Sequence, residues 1–343
     1  MKNYASSMLL VLFMFSCGST KQSGCYQKDA SSVTSDESFT TETSIATSSI
    51  LEIKMCSFNI KFVGLYKRKD HAALADILKG YDLVLIQELV SPPTDGHYPD
   101  GTSYDADPEA KAFIDAMVSH GFEYRLSEED SGTNEDIHSN SSSTEWFIVF
   151  YKPDMLLVDD QLITGFLADD RSDHPSYERV PYAFSFQTID NGVDFTLISV
   201  HLKSGSGSAD KVRRKGELEA IAQWIDTRDS IEKDYIIVGD MNIYTQAELM
   251  DLLPKGYRSL NAACLPTNLA SSGKPYDHVM YHVDHTGSEL AGSFEIVDLM
   301  EVMRPYWRET TPYPENDLNL FYQYYSDHKP VVFTLISDGS DDD

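Results

Sequence analysis

Two short runs in this chain are apolar at nearly every position and then stop at a carboxylate. Leu83-Val-Leu-Ile86 leads through Gln87 to Glu88, and Tyr235-Ile-Ile-Val238 leads through Gly239 to Asp240. Runs this short suit strands rather than helices, and a strand apolar on both faces must be covered on both. The chain is therefore expected to fold in layers around central strands, with its polar groups beginning where those strands end.

The rest of the pattern agrees. Leu51 to Phe58 alternates apolar and polar residues with period two, as a half-buried strand does, while Asp70 to Leu78 has helical spacing and stops at Gly80. Ala106 to His120 and Asp210 to Asp226 read as helices. Trp146–Tyr151, Tyr182–Gln187, Phe195–Leu202, His278–His282 and Pro330–Ile336 read as strands. The polar stretch from Ser127 to Thr144 has no period and reads as a surface loop. With 41% hydrophobic residues in 343, a large core is available and disorder is excluded for most of the length. One domain over 51–337 accounts for these elements.

The flanks differ from that domain. Lys2 followed by the apolar run Met8–Phe15 reads as an export signal, too short to span a bilayer, and Met14-Phe-Ser-Cys17 resembles a lipobox. Residues 1–17 are thus expected to be a signal peptide, with Cys17 as an outer-membrane lipid anchor. Residues 18–50, dense in Ser and Thr, read as a flexible linker, and 338–343 as an acidic tail. The expected location is secreted or lipid-anchored at a bacterial cell envelope. Cys56 falls in a strand pattern, where a buried free thiol is the default, and no disulfide framework or zinc spacing is present. No protein partner is implied.

The informative residues are polar groups at strand ends: Asn59, Glu88, His201, Asp240 with Asn242, and Asp327 with His328. Strand ends converge at one edge of a sheet, where α/β proteins place their sites. Singly, each has an ordinary role as a turn residue, a solvated acid or a core histidine. Together they have one chemical logic. A hard cation needs carboxylate oxygens. Phosphodiester hydrolysis further needs a positioned and deprotonated water, stabilised phosphate oxygens and a protonated leaving group. Glu88 is the foremost metal candidate, with Asp327, Asp240 and Asn59 near it. A serine hydrolase is disfavoured because no Gly-x-Ser-x-Gly elbow occurs. The balance of 27 basic against 55 acidic residues, net −28, argues against a broad polyanion-binding face. It says little locally, because charge is screened beyond about 8 Å.

Ser57-Phe-Asn-Ile-Lys61, Tyr81-Asp-Leu-Val-Leu-Ile-Gln-Glu88, Ser199-Val-His201, Gly239-Asp-Met-Asn242 and Ser326-Asp-His-Lys-Pro330 resemble, in order and spacing, the endonuclease/exonuclease/phosphatase superfamily, and most closely deoxyribonuclease I. The resemblance covers nearly all of 51–337. It implies an α/β fold, a four-layer α-β-β-α sandwich of two packed mixed β-sheets. It implies two histidine–carboxylate pairs, His201 with Glu145 and His328 with Asp277. Asp240 would orient or deprotonate the attacking water, and Asn242 and Asn59 would hold phosphate oxygens or metal. Arg179 and Lys61 would meet substrate phosphate, and Glu88 would be the principal ligand of Mg²⁺ or Mn²⁺, leaving Ca²⁺ open for a structural role. The implied activity is metal-dependent endonucleolytic hydrolysis of DNA to 5′-phosphate and 3′-hydroxyl ends.

Departures from that pattern bear on substrate. Lys61 stands where exonuclease III-like enzymes carry an acidic ligand, Val90 where the pancreatic enzyme carries a groove-reading Arg, and Ser143 where a Tyr is expected. The basic runs Lys67-Arg-Lys69 and Lys211-Val-Arg-Arg-Lys215 are candidate phosphate contacts, against the usual fate of charge runs as solvated faces. Two other readings stand beside the nuclease. One is a sphingomyelinase-like or inositol-phosphate phosphatase, for which Tyr306, Trp307, Tyr313 and Phe321–Tyr325 would supply an exposed aromatic hairpin. The other is a non-enzymatic, lipid-anchored binding protein.

Overall fold

The computed structural model describes residues 50–168, 176–190 and 192–338. The expected signal peptide with Cys17, the linker up to residue 49 and the tail beyond Asp338 lie outside the described residues. Among those that are described, no helix is long and apolar enough to cross a membrane.

Two sheets carry the fold. The first runs in the order β14 (Leu290–Ile296), β15 (Val331–Ser337), β1 (Leu51–Val63), β2 (Leu83–Leu89), β6 (Trp146–Tyr151), β5 (Glu123–Leu126). The second runs β12 (Tyr257–Ser259), β13 (Asp277–His282), β11 (Tyr235–Asp240), β10 (Asp194–His201), β9 (Tyr182–Thr188), β7 (Leu156–Val158), with β8 (Gly165–Phe166) on β9. A small hairpin, β3 (Gly96–His97) with β4 (Ser103–Tyr104), stands apart from both. Each sheet is mixed: β1 is parallel to β2 and β10 to β11, while β6, β13 and β15 run antiparallel to their neighbours.

The side-chain alternation builds four layers. Ile53, Met55, Leu83, Leu85, Phe147 and Val149 meet Phe184, Phe195, Leu197, Ile236, Val238 and Val279 between the sheets. The alternate residues of the first sheet, among them Phe58, Val84, Ile86 and Phe150, pack under α1 (His71–Leu78) and α2 (Pro108–Ser119). Those of the second, among them Ile198, Val200 and Ile237, pack under α3 (Ser208–Asp226) and α4 (Gln246–Leu252). Two short helices, α5 (Leu299–Met303) and α6 (Leu318–Tyr324), complete the layer over the first sheet. Helix starts are set locally. Asp70 and Asp107 cap α1 and α2 by accepting backbone N–H groups, and Pro108 opens α2, where its missing N–H costs nothing. This is the α-β-β-α sandwich that the motifs implied.

The aromatic cluster differs from expectation. Phe321 and Tyr325 are buried, and Trp307 packs edge-on against Tyr313 and Tyr324. Tyr313 donates to the Met300 carbonyl, 2.6 Å away. These residues form a helix and a turn sealing the core beneath them, not an exposed hairpin, because their rings find one another before they find solvent.

Candidate active site

The site is a continuation of the inter-sheet core. Positions 53 and 55 of β1 face inward, and so by alternation does Asn59; the same parity carries Phe147 and Val149 back to Glu145. It also carries Phe195 and Leu197 on to His201, Ile236 and Val238 on to Asp240, and Val279 back to Asp277. The parallel strands end where the antiparallel ones begin, so all these groups gather at one end of the sandwich. Unpaired, they would be costly to bury; they are stable because they satisfy one another.

Glu88 breaks the alternation. Its neighbour Gln87 has the inward parity and meets Ser57 Oγ at 3.3 Å. The register slips between Ile86 and Leu89, and Glu88 sits at φ 65°, a left-handed conformation uncommon for a non-glycine residue. The bulge brings the next side chain to the same cluster and frees its N–H to donate to Glu145 Oε2 at 2.6 Å. A matching irregularity in β1, with Lys61 and Phe62 at positive φ, turns the chain away just past Asn59.

Both expected histidine pairs form. His201 Nδ1 lies 2.8 Å from Glu145 Oε1, and His328 Nδ1 lies 2.9 Å from Asp277 Oδ2. The two Nε2 atoms face the same oxygen, Asp240 Oδ2, each at 3.6 Å. Asn59 Nδ2 donates to that oxygen at 3.1 Å and to Glu88 Oε1 at 2.9 Å. Asn242 donates its backbone N–H to Asp240 Oδ1 and its amide to the Leu202 carbonyl, so it braces Asp240 between the strand and the loop after β10. Gly239 is required here. It has φ +143°, and a Cβ would lie 2.1 Å from the Val200 carbonyl oxygen on the adjacent strand.

The electrostatics follow from burial and these pairs. Burial pushes the Asp240 carboxyl above its ordinary range, against the pull of the two imidazoles. Burial opposes charge on His328, but Asp277 and Asp240 outweigh it and lift the imidazole to about 10. Burial and then Arg179 oppose charge on His201, and Glu145 with Asp240 still hold it above the usual value.

A divalent cation fits the residues present. Glu88 Oε2 is buried and has no hydrogen-bond partner among the described residues. Glu88, His201 and Asp240 each offer one ligand atom, all within 4.8 Å of one another. Carboxylate oxygens are what a hard cation takes. Asn59 joins this group by donating its amide N–H to Glu88 and Asp240, while its Oδ1 accepts the Lys61 N–H. Asp327, the other expected ligand, is paired with Lys61 Nζ at 2.5 Å, and His328 together with Lys61 holds its carboxyl below the ordinary range despite burial.

No protein-family model matches the chain, and no curated protein matches it in sequence. Solved structures do. The catalytic domain of human Nocturnin with a bound sulfate anion superposes with a TM-score of 0.51 at 15% identity over 84% of this chain and 96% of that one. An endonuclease/exonuclease/phosphatase from Bacteroides vulgatus gives 0.50 at 13% identity over 83% and 98%. A conserved protein of unknown function from Enterococcus faecalis gives 0.51 at 14% over 83% and 100%.

The fold is that of the endonuclease/exonuclease/phosphatase superfamily. Within this endonuclease/exonuclease/phosphatase fold, several expected contacts take other roles. Lys61, expected to meet substrate, is paired with Asp327. Arg179 is placed beside the site, its Nε 3.6 Å from Glu145 Oε1 and its Nη1 donating to the His201 carbonyl. Lys69 is buried and donates to the carbonyls of Ile60, Tyr322 and Tyr325, and Arg214 is fully buried against Glu248 and the carbonyls of Lys203 and Gly205. Neither basic run is therefore a simple solvated face, and each spends one cation on tying loops to the core.

Other supports were not readable as such. Ser326 Oγ donates to the Asn59 carbonyl at 2.6 Å and accepts the His328 N–H, locking the last histidine onto β1. Glu217, buried on α3, accepts the N–H groups of Glu178 and Lys203, fixing the segments around Arg179 and His201. Ser326 opens the last of the family-like motifs and stands two residues before His328, where a serine hydroxyl commonly closes a turn, but neither signal places it on the Asn59 carbonyl. Glu217 had none, since hydrophobic periodicity assigns a glutamate to the outer face.

Proposed function

We propose that this chain is an exported, divalent-metal-dependent phosphodiesterase that hydrolyses DNA. The observation that carries the reading is the convergence of two carboxylate-backed imidazoles on one Asp240 oxygen beside Glu88. A bound divalent ion, held by Glu88 with Asn59 next to it, would supply positive charge for the phosphate oxygens. Asp240 takes the proton of the attacking water as its oxygen closes on phosphorus, braced for this by Asn59 and Asn242. His328, kept charged by Asp277, gives the proton from Nε2 to the departing oxygen as its bond to phosphorus breaks. His201, backed by Glu145 and faced by Arg179, donates to a phosphate oxygen. Export rests on the Met8–Phe15 run and is tested by the location of the mature chain in cell fractions.

DNA is favoured over a membrane lipid because most of the aromatic residues that could have engaged a bilayer, Trp307, Tyr313, Phe321 and Tyr325 among them, pack on the core and on one another. The test is incubation of the purified mature chain with supercoiled plasmid, and separately with sphingomyelin, in Mg²⁺, Mn²⁺, Ca²⁺ or EDTA. Nicking that needs Mg²⁺ or Mn²⁺ and leaves 5′-phosphate ends is the expected outcome. Intact plasmid under every metal together with hydrolysed lipid would replace DNA by lipid.

A further inference from the structure

Next to the imidazole cluster the surface opens into a groove of about 670 Å³ lined by Lys61, Tyr66, Lys67, Arg68, Tyr322 and Asp327. It is continuous with the site. Asp327 precedes His328 directly, and the Lys61 backbone N–H donates to Asn59 Oδ1 at 3.1 Å. One wall is the turn after β1 and the other is the face of α6, so the bulge that places Asn59 also forms the groove. A volume of this size is in the range of small-ligand sites.

Its chemistry is unlike that of the chain as a whole, whose net charge is −28. Three basic side chains meet here. Lys61 is paired with Asp327, and Lys67 with Asp107 at 3.1 Å. Arg68 is exposed and has no carboxylate partner within ion-pair distance among the described residues. Between them stand two half-buried tyrosine rings whose hydroxyls have no hydrogen-bond partner among the described residues. Lys61 Nζ lies 6.0 Å from the centre of the Tyr322 ring and 5.0 Å from that of Phe62. A guanidinium grips phosphate through paired N–H donors, and a tyrosine face takes a flat base by stacking. A phospholipid headgroup uses the first feature and not the second. A duplex keeps its bases stacked inside and cannot reach the rings.

We propose that the groove takes an unpaired nucleotide adjoining the scissile phosphate, its phosphate on Arg68 and its base on Tyr322. The proposal rests on the phosphodiesterase reading and narrows it to single strands or melted ends.

The test is fluorescence anisotropy of a labelled oligothymidylate with the full chain in EDTA, where the strand stays intact. An abasic strand of equal length and charge serves as the comparison. The intact strand binds about tenfold more tightly, as one stacked base would give. Tyr322→Ala abolishes that difference and Tyr322→Phe retains it. Arg68→Ala weakens both strands alike and lowers the logarithmic salt slope by about 0.7. Equal affinity for the two strands, full discrimination in Tyr322→Ala, or binding of phosphatidylglycerol vesicles with neither strand bound would each overturn the proposal. Cleavage of the same oligothymidylate in Mg²⁺ or Mn²⁺ separates this from the reading beneath it. Base-dependent binding by a chain that cuts no diester would leave the groove and remove the hydrolase; cutting without base dependence would do the reverse.

Discussion

The two histidine pairs bridge the sheets in opposite senses. Glu145, at the edge of the first sheet, supports His201 of the second; Asp277, in the second, supports His328, which enters the first. Their geometry is nearly the same, each Nδ1 within 2.9 Å of its carboxylate and each Nε2 at 3.6 Å from Asp240. Their surroundings are not. Glu145 divides its charge among His201, the Glu88 N–H and nearby Arg179, whereas Asp277 meets His328 with its other carboxylate oxygen unpartnered among the described residues. The lesson is that an imidazole's readiness to hold a proton depends less on its partner than on what else that partner serves.

That difference can be broken in several ways. The largest effect is expected from His328→Ala, which should lower kcat by about 10³-fold or more, since it removes the proton donor. His201→Ala should cost less, on the order of 10²-fold; equal losses in steady-state assays would erase the asymmetry. Asp277→Asn should lower kcat by about 10²-fold while shifting the pH–rate profile. The sign is fixed by the charges. Activity rises with pH as Asp240, held high by burial, loses its proton. It falls again as His328, lifted to about 10, loses its own. Without the Asp277 carboxylate the imidazolium is less stable, so the alkaline limb must move to lower pH; an unmoved limb would contradict the pairing.

The same charge affects folding. The folded His328 pKa lies above its unfolded value of about 6.5, so its contribution to stability is complete below that value and disappears as pH rises through about 10. Urea titrations in EDTA should therefore show the gap between wild type and His328→Asn closing across that window. Gly239→Ala tests the scaffold and not the charge, and should destabilise the fold by about 2 kcal/mol through its clash with Val200. Smallest is Arg179→Gln, which should raise the His201 titration followed by NMR, since Arg179 opposes charge on that imidazole.

How much of this was legible in the sequence depended on the kind of signal. Trp146–Tyr151 and Tyr235–Asp240 were read to the residue because unbroken apolar runs end at polar groups. β1 runs on to Val63, past the expected end at Phe58, because its bulge keeps one neighbour paired beyond the break. β14 went unread, since Leu290-Ala-Gly-Ser-Phe-Glu-Ile296 alternates weakly and has a glycine at its middle. The pairings of Glu145 with His201 and Asp277 with His328 followed from the resemblance, not from local pattern. Lys69 and Arg214 could not be placed, because a charge run reads as solvated whether or not loop carbonyls wait beneath it. The Lys61–Asp327 pair was invisible for a related reason: two residues 266 apart in sequence reveal their contact only once the sandwich has closed.

The central claim is that this end of the sandwich hydrolyses phosphodiesters by acid–base chemistry with a cation at Glu88. It is tested most directly by hydrolysis of bis(p-nitrophenyl) phosphate by the full chain in Mn²⁺. The account predicts nitrophenol release that EDTA stops, and that is lost in both Glu88→Gln and His328→Ala. No release under any divalent metal, or release at full rate from His328→Ala, would contradict it.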